Sequence, residues 1–225
     1  MANTETTINA IMHPKPNETS IDIKKTIKAL ERNKFVVHYF ETGAEAVAYL
    51  KNRIQNKCVA IGDSRTLLEI GIHDALSEIN EDITDIQRPL PGESFRDTAL
   101  RTMGRDVFLT SVNALSQTGE MVNIDGTGNR VAASLFGSQE VFFVLGVNKI
   151  TPDLASAIYR ARNVAAPLNS KKNKKSSLNP CATLDEKCYD CGSPDRICNA
   201  LTIYYKKMRN MQTMEIIIIN ESLGF

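Results

Sequence analysis

Short apolar runs of strand length alternate with helical patterns along most of this chain, and this alternation limits the folds open to it. The runs Phe35–Phe40, Cys58–Ile61 and Val141–Gly146 have the length and residue types of buried strands. From Ile21 to Asn33, apolar residues recur at helical spacing with lysines on the opposite face. Because strands that alternate with helices favour parallel pairing, the sequence predicts an α/β fold with a mainly parallel sheet covered by helices.

The size and composition are typical of one globular domain. The chain has 225 residues, of which 42% are hydrophobic and 24% charged, enough to form a buried core. Residues 1–19 are polar and without periodicity, so we interpret them as an arm that precedes a domain over residues 20–225. The net charge of +1 gives no global electrostatic reason to expect nucleic-acid binding. Because the sequence shows neither a signal peptide nor an apolar run of roughly 20 residues, we expect a cytoplasmic protein without membrane insertion.

A small polar turn joins the strand-like run Cys58–Ile61 to an apolar helix start. In such a turn, exposed backbone N–H groups and the partial positive charge of the helix N-terminus bind anions or carbonyls. An ordinary strand-to-helix turn, in which Ser64 caps the helix, explains the same pattern. The candidate ligand-binding residues in this turn are Gly62, Asp63, Ser64 and Thr66.

A second polar segment lies between the strand-like runs Val107–Thr110 and Val141–Gly146. It predicts a hairpin that ends in the strand Met121–Ile124, followed by a glycine-containing loop and a short helix from Arg130. Val131 stands where a dinucleotide-binding motif has its third glycine, so the loop predicts a cradle for a phosphate, carboxylate or carbonyl. Its candidate ligand-binding residues are Asn113, Asn123, Gly126, Thr127, Gly128, Asn129 and Arg130.

The two polar segments are predicted to form one site. Each follows a predicted strand, and ligands bind outside the carboxyl ends of the strands in open α/β sheets. If the chain is an enzyme, Asp125 or Glu120 is the candidate acid or base, because these are the nearby carboxylates. Carboxylates in turns are commonly solvated or capping groups, so the sequence does not decide whether the protein is catalytic.

The C-terminal third supplies one further helix and two strands. The stretch Thr151–Asp153 forms a helix start in which Thr151 is the expected N-cap. The helix is predicted to end before Pro167, because proline interrupts helices. The runs Leu201–Lys206 and Glu215–Asn220 are predicted as two closing strands.

Residues 170–200 combine a lysine-rich loop with a four-cysteine insertion. The cysteines follow the spacing C-x6-C-x2-C-x6-C, and the central two-residue gap lets one turn present two thiolates to a metal. Four thiolates suit zinc or an iron–sulfur cluster, and four reduced thiols in a loop are the alternative. The predicted metal ligands are Cys181, Cys188, Cys191 and Cys198.

Four segments carry a resemblance to a known family: the string NIDGTGNR at residues 123–130, Gly146–Lys149, Ala165–Asn169 and Ile219–Phe225. Together they resemble the LUD-domain, or lactate-utilisation, proteins, and the cysteine segment resembles that of a short single-domain branch of this family. The resemblance implies a fold similar to ribose-phosphate isomerases, glucosamine-phosphate deaminases and CoA transferases. Those proteins bind sugar phosphates or acyl thioesters at loops on the sheet rim.

By function, the resemblance implies a LUD-domain protein of lactate or related organic-acid metabolism. Such a protein would bind a small anionic metabolite at the two polar segments and a metal or iron–sulfur cluster at its four cysteines. Two alternatives stay open: a non-catalytic subunit of an oxidoreductase complex, and a sugar-phosphate isomerase or CoA-transferase-like enzyme. The expected partners are therefore the metabolite, oxidoreductase subunits and a second copy of the chain in a homo-oligomer.

Overall fold

The computed structural model describes residues 20–172, 178–185 and 187–225, whereas the predicted arm at residues 1–19 lies outside them. The α-helices are α1 Ile23–Arg32, α2 Gly43–Arg53, α3 Arg65–Glu69, α4 Ile72–Ser77, α5 Phe95–Arg101, α6 Asn129–Leu135, α7 Leu154–Arg160, α8 Ala166–Lys172 and α9 Pro180–Thr183. The strands are β1 Val36–Phe40, β2 Val59–Ile61, β3 Ile83–Asp85, β4 Val107–Thr110, β5 Ala114–Ser116, β6 Met121–Asp125, β7 Glu140–Gly146, β8 Ile150–Thr151, β9 Ala200–Tyr204 and β10 Thr213–Ile219. A 3₁₀ turn spans Val147–Lys149 and a π-helix spans Ala161–Ala165.

The larger sheet contains six parallel strands in the order β1-β10-β7-β4-β2-β3. At its centre, β10 pairs with β7 over seven residues of each strand. Side chains of these strands alternate between two apolar layers, so that Phe143 and Ile216 pack in the layer of α1, and Phe142 and Ile217 in the layer of α2. Both faces of the sheet are covered, and the predicted α/β fold with a mainly parallel, helix-covered sheet is confirmed.

The smaller sheet has four strands in the order β8-β5-β6-β9. It contains the predicted hairpin, since β5 and β6 pair antiparallel, and β9 extends it along β6 over five residues. The sheet shares a core with the larger one, because the Tyr204 ring meets Phe143 edge-on with centroids 5.3 Å apart. A separate apolar cluster joins it to α7 through Ala157. The smaller sheet is therefore fixed against the larger sheet and α7.

The two strands predicted to close the fold belong to different sheets. The run from Leu201 contributes to β9 at the edge of the smaller sheet, whereas the run from Glu215 contributes to β10 inside the larger sheet. The second run is a strand, as predicted, and it lies between β1 and β7 and pairs with both. Two neighbouring strands satisfy the backbone of this almost fully buried strand.

The helix after β8 begins and ends at residues other than those predicted. Its N-cap is Asp153, whose carboxylate accepts the Ser156 N–H at 2.8 Å, while Thr151 belongs to β8. The helix does not end before Pro167 but continues through the π-helix into α8. Pro167 lies in the first turn of α8, where the missing N–H of a proline is tolerated. The N–H of the preceding Ala166 donates to the Ala161 carbonyl of the π-helix.

A charge network joins α2 to the amino ends of β7 and β10. Arg53 Nε donates to Glu215 at 3.0 Å, and the guanidinium also pairs with Glu140. Both carboxylates are buried, with 3% and 4% of their surface exposed. The Tyr49 hydroxyl donates to Glu215 at 2.8 Å, and burial together with this carboxylate raises the pKa of Tyr49. The network therefore neutralises two carboxylates that the fold takes out of water.

Replacing Arg53 with Met should lower the free energy of unfolding by about 2–4 kcal/mol, because the buried Glu215 loses its arginine and the buried Glu140 keeps Lys57, at 3.3 Å, as its cation. Urea denaturation measures the change. Arg88→Met is the control, since Arg88 pairs with the exposed Asp74 and its loss should lower the free energy of unfolding far less. Equal effects of the two substitutions would contradict a stabilising role for the network.

Candidate functional site

A cavity of about 570 Å³ opens at the carboxyl ends of strands in the larger sheet, beside the smaller sheet. Residues that follow β2, β4 and β7 line it, together with the loop after β6 and part of α8. The structure thus brings both predicted polar segments to one place. From the predicted set, the cavity is lined by Asp63, Ser64, Asn113, Asp125, Gly126, Thr127, Asn129 and Arg130.

Four of the predicted ligand-binding residues do not line the cavity: Gly62, Thr66, Asn123 and Gly128. A Cβ at Gly62 would lie 2.9 Å from the Phe108 ring, so the first turn packs closely on β4. The Asn123 side chain is buried and accepts the Asn113 N–H at 3.0 Å. Gly128 precedes α6 as its N-cap. These residues position the loops without presenting a side chain to the cavity.

The two candidate carboxylates lie at opposite ends of β6. Glu120 does not line the cavity, and its side chain accepts the Thr118 hydroxyl. Asp125 lines the cavity but is only 3% exposed. Its two oxygens accept the N–H groups of Thr127 at 3.3 Å and Val131 at 3.2 Å. Asp125 therefore holds the loop and the start of α6 in place.

Lys149 is one of the lining residues that lie outside the predicted set. It ends the 3₁₀ turn after β7 and is only 3% exposed. Its Nζ donates to Thr66 Oγ1 at 2.9 Å and to Ser111 Oγ at 3.0 Å. An ammonium group has three N–H donors. The two hydroxyls are its hydrogen-bond partners among the described residues, so one donor is left for a ligand. The signal in the sequence is a lysine just after the carboxyl end of a central strand.

The surroundings of Lys149 disfavour its charged form. Burial lowers the pKa of Lys149 to about 7, and the guanidinium groups of Arg160 and Arg130 act in the same direction, against Glu69. Arg160 is held by backbone carbonyls, including that of Asn148 at 3.1 Å, and burial lowers its pKa to about 10. The Lys149 amino group is therefore close to its titration midpoint at neutral pH, as is common at functional sites.

The C-terminal residues cover Lys149. The Leu223 carbonyl accepts the Thr66 hydroxyl at 3.4 Å, and Phe225 lines the cavity. Gly224 has a φ of +64°, and a Cβ there would lie 2.5 Å from Thr66 Oγ1 and 3.1 Å from Lys149 Nζ. Only glycine therefore lets the backbone pass this close to the buried amino group without strain.

The cavity lining carries more cations than carboxylates. Its charged residues are Arg65, Arg130, Lys149 and Lys172 against Asp63 and Asp125. Leu68 and Phe95 add apolar surface. Lys172 comes from the lysine-rich loop predicted after residue 170 and ends α8, whereas residues 173–177 lie outside the described part of the chain. Such a lining is electrostatically more favourable to anions than to cations.

Two arginines hold the cysteine segment. Arg162 Nη2 lies 2.9 Å from Asp190 Oδ1 and 3.7 Å from Cys188 Sγ, and Arg196 donates to the Cys191 carbonyl at 2.9 Å. Within the described ranges, no group of three or more Cys, His, Asp or Glu side chains is placed to hold a metal. The arrangement seen here does not fit a ready four-thiolate site, and binding of zinc or an iron–sulfur cluster stays a prediction.

The cysteine segment also reaches the cavity. Ile197 lines the cavity. A Cβ added at Gly126 would lie 2.9 Å from the Ile197 carbonyl oxygen, so the two backbones pack closely. The Asn199 N–H donates to the Asp125 carbonyl at 3.0 Å, and its side chain donates to the Gly126 carbonyl at 3.0 Å. The segment therefore supports the loop that forms one wall of the site.

The model of the LUD domain matches residues 23–219 of the sequence. The chain belongs to the LUD-domain family. This family is associated with lactate utilisation. Comparison of the LUD-domain protein with curated proteins gave no match.

One similar solved structure is that of a DUF162 family protein from Deinococcus radiodurans. It superposes with a TM-score of 0.51 at 12% sequence identity, and the match covers 88% of this LUD-domain protein and 95% of that chain. At this identity the likeness shows the shared fold alone. Of the helices in the described ranges, none is long and apolar enough to cross a membrane.

The free energy of unfolding of the LUD-domain protein should rise with pH between about pH 7 and pH 10.5 because of Lys149. The pKa of Lys149 is lowered only in the folded state, so the unfolded state binds more protons in this window. Lys149→Met should remove the contribution of Lys149 to the free energy of unfolding, which amounts to roughly 4 kcal/mol across the window. Urea denaturation at a series of pH values measures the slope.

Lys206→Met is the matched control, because it removes an exposed lysine and should keep the slope of the wild-type protein. Identical slopes for the wild-type and Lys149→Met proteins would show that burial does not disfavour the charged Lys149.

Proposed function

We propose that this LUD-domain protein serves lactate or related organic-acid metabolism by binding a small anionic metabolite in the cavity. The observation that carries the proposal is the buried Lys149 amino group, whose hydrogen-bond partners in the described part of the chain are hydroxyls rather than carboxylates. Burying an ammonium group without an opposite charge costs free energy. A bound anion offsets this cost, and the cationic lining favours its approach.

The cavity suits a ligand with a charged end and a short carbon skeleton. The free donor of Lys149 binds the anionic group, and Thr127 and Asn129 add short polar side chains on the facing loop. Leu68 and Phe95 supply apolar surface to the carbon atoms. A small hydroxy or oxo carboxylate has this combination of groups.

Asp125 is the carboxylate that we propose for proton transfer, because of the two candidates it is the one that lines the cavity. Its oxygens also accept two backbone N–H groups, so a substitution there disturbs the loop as well as any chemistry. For this reason Lys149, whose partners are side-chain hydroxyls, is the sharper target for a first test.

Lys149→Met should weaken lactate binding about 10- to 100-fold, because a charge-assisted hydrogen bond of roughly 1.5–3 kcal/mol is lost. Isothermal titration calorimetry below pH 7, where Lys149 is charged, measures the affinity. Lys206→Met should bind lactate like the wild-type protein. An unchanged affinity in Lys149→Met would place the binding site elsewhere.

The same calorimetry with sugar phosphates and CoA esters tests the isomerase or transferase alternative. Tighter binding of either class than of lactate and pyruvate, lost in Lys149→Met, would favour that alternative and replace the organic-acid proposal.

The cysteine segment supports a second proposal: the protein carries zinc or an iron–sulfur cluster and acts as a subunit of an oxidoreductase complex. In its favour, Cys188, Cys191 and Cys198 share one segment that reaches the cavity through Ile197. Metal binding would require this segment to rearrange, because the described residues contain no ready metal site. Four thiolates would supply either a structural zinc centre or an electron-transfer cluster.

Protein purified without oxygen should contain zinc or iron, and the Cys188→Ser, Cys191→Ser double variant should lose it. Elemental analysis and a visible absorption spectrum measure metal content and cluster type. Cys58→Ser is the control, because Cys58 lies next to β2 and outside the cysteine segment. If wild-type protein contains neither zinc nor iron, whether it is purified with or without oxygen, this second proposal is ruled out.

A further inference from the structure

We propose that Lys149 is a nucleophile that condenses with the carbonyl group of a small 2-oxo carboxylate and holds it as an imine. The inference rests on the proposed function, because the carboxylate of this ligand is the anion that the cavity binds. It goes further by naming the ligand class and a covalent step.

The first support is the set of partners around the amino group. Lys149 Nζ bonds to the hydroxyls of Thr66 and Ser111, and each hydroxyl can donate as well as accept. A carboxylate partner would favour the ammonium form, whereas hydroxyls accommodate the neutral amine equally well. The site therefore tolerates the form of lysine whose lone pair can attack a carbonyl.

The second support is the exclusion of water and the sign of the nearby charges. Leu223 and Gly224 pass over the amino group, which is buried beneath them. Arg160 and Arg130 are the nearby cations, and each lowers the pKa of Lys149 by more than Glu69 raises it. Burial and neighbouring cations are the two means by which proteins turn a lysine into a nucleophile near neutral pH.

The third support is the position of the amino group within the cavity. Lys149 lines the cavity together with Arg130 and Val112. Arg130 donates to the Ile124 carbonyl and lies 3.7 Å from Asp125, and its guanidinium acts electrostatically on Lys149. A carboxylate bound at Arg130 would direct its neighbouring carbonyl carbon towards Nζ. A 2-oxo acid carries these two groups on adjacent carbon atoms, which distinguishes it from a longer oxo acid.

The reaction is a balanced condensation. The lone pair of the Lys149 amine attacks the carbonyl carbon, a C–N bond forms, and the electron pair of the carbonyl π bond moves to oxygen. The amine gives up two protons, and the Thr66 or Ser111 hydroxyl can relay them to that oxygen. The oxygen is thereby converted into water. Water leaves, a C=N bond forms, and no oxidant or reductant is consumed.

Reductive trapping tests the inference directly. The full chain is incubated with pyruvate and sodium cyanoborohydride, and intact-mass and peptide mass spectrometry follow. One adduct should form on Lys149, adding the mass of pyruvic acid less one oxygen atom. Lactate has no carbonyl group and should give no adduct under the same conditions.

Two variants control the experiment. Lys149→Arg keeps a cation but cannot form the imine, so it should give no adduct at its altered position. Lys206→Met should label like the wild-type protein. Because the peptide map of the wild-type chain locates the adduct by itself, the test stands even where Lys149→Arg fails to fold.

The dependence on pH is a further readout. Trapping at Lys149 should rise about tenfold per pH unit below a pKa near 7 and level off above it, because the neutral amine is the reactive form. Labelling of solvated lysines keeps rising at higher pH. A rate that follows the solvated lysines would overturn the assignment to Lys149.

Calorimetry separates failure of this inference from failure of the proposed function. Binding of lactate and pyruvate that depends on Lys149, without any trapped adduct, leaves the metabolite site in place and rules out the imine. If lactate and pyruvate do not bind and no adduct forms, the inference and the proposed function are both ruled out. An adduct spread over many lysines also overturns the inference.

Discussion

The rest of the structure depends on the pairing of β10 with β1 and β7 at the centre of the larger sheet. Among the described residues, this pairing places the last strand beside the first. Because parallel strands end on the same side of a sheet, the residues after β10 leave at the rim where those after β7 also emerge. Leu223 and Gly224 consequently pass over Lys149. A pairing in the core thereby sets the environment of one amino group at the rim.

Close packing at the end of β7 makes this environment specific. A Cβ at Gly146 would lie 2.5 Å from Asn148 Oδ1 and 2.7 Å from the Leu223 nitrogen. Asn148 Oδ1 in turn accepts the Leu223 N–H at 3.1 Å, which ties the tail to the turn that carries Lys149. The protein thus buries an amino group among hydroxyls at a cost in stability, a departure from ordinary core design that is typical of functional sites.

Prediction from sequence succeeded where the deciding contacts are local. Ser64 caps α3, which was the alternative explanation of the first polar turn, and its hydroxyl accepts the Leu67 N–H at 3.3 Å. Such a cap is predictable because it involves residues three apart. Prediction failed at Pro167, where a π-helix removes the conflict that normally ends a helix. It also failed to single out Lys149, because a lysine after a strand is ordinarily solvated. The predicted loops meet at one cavity, whereas Glu120 lies at the far end of β6.

Local periodicity was enough to predict most of the strands and helices and the parallel α/β class, because apolar spacing and turn residues act over a few positions. The resemblance to the LUD-domain family likewise rested on short strings of consecutive residues. The position of β10, the low pKa of Lys149 and the cover over it were decided by tertiary structure. Burial and electrostatic shifts depend on which distant segments pack together, and the spacing of neighbouring residues carries no record of that.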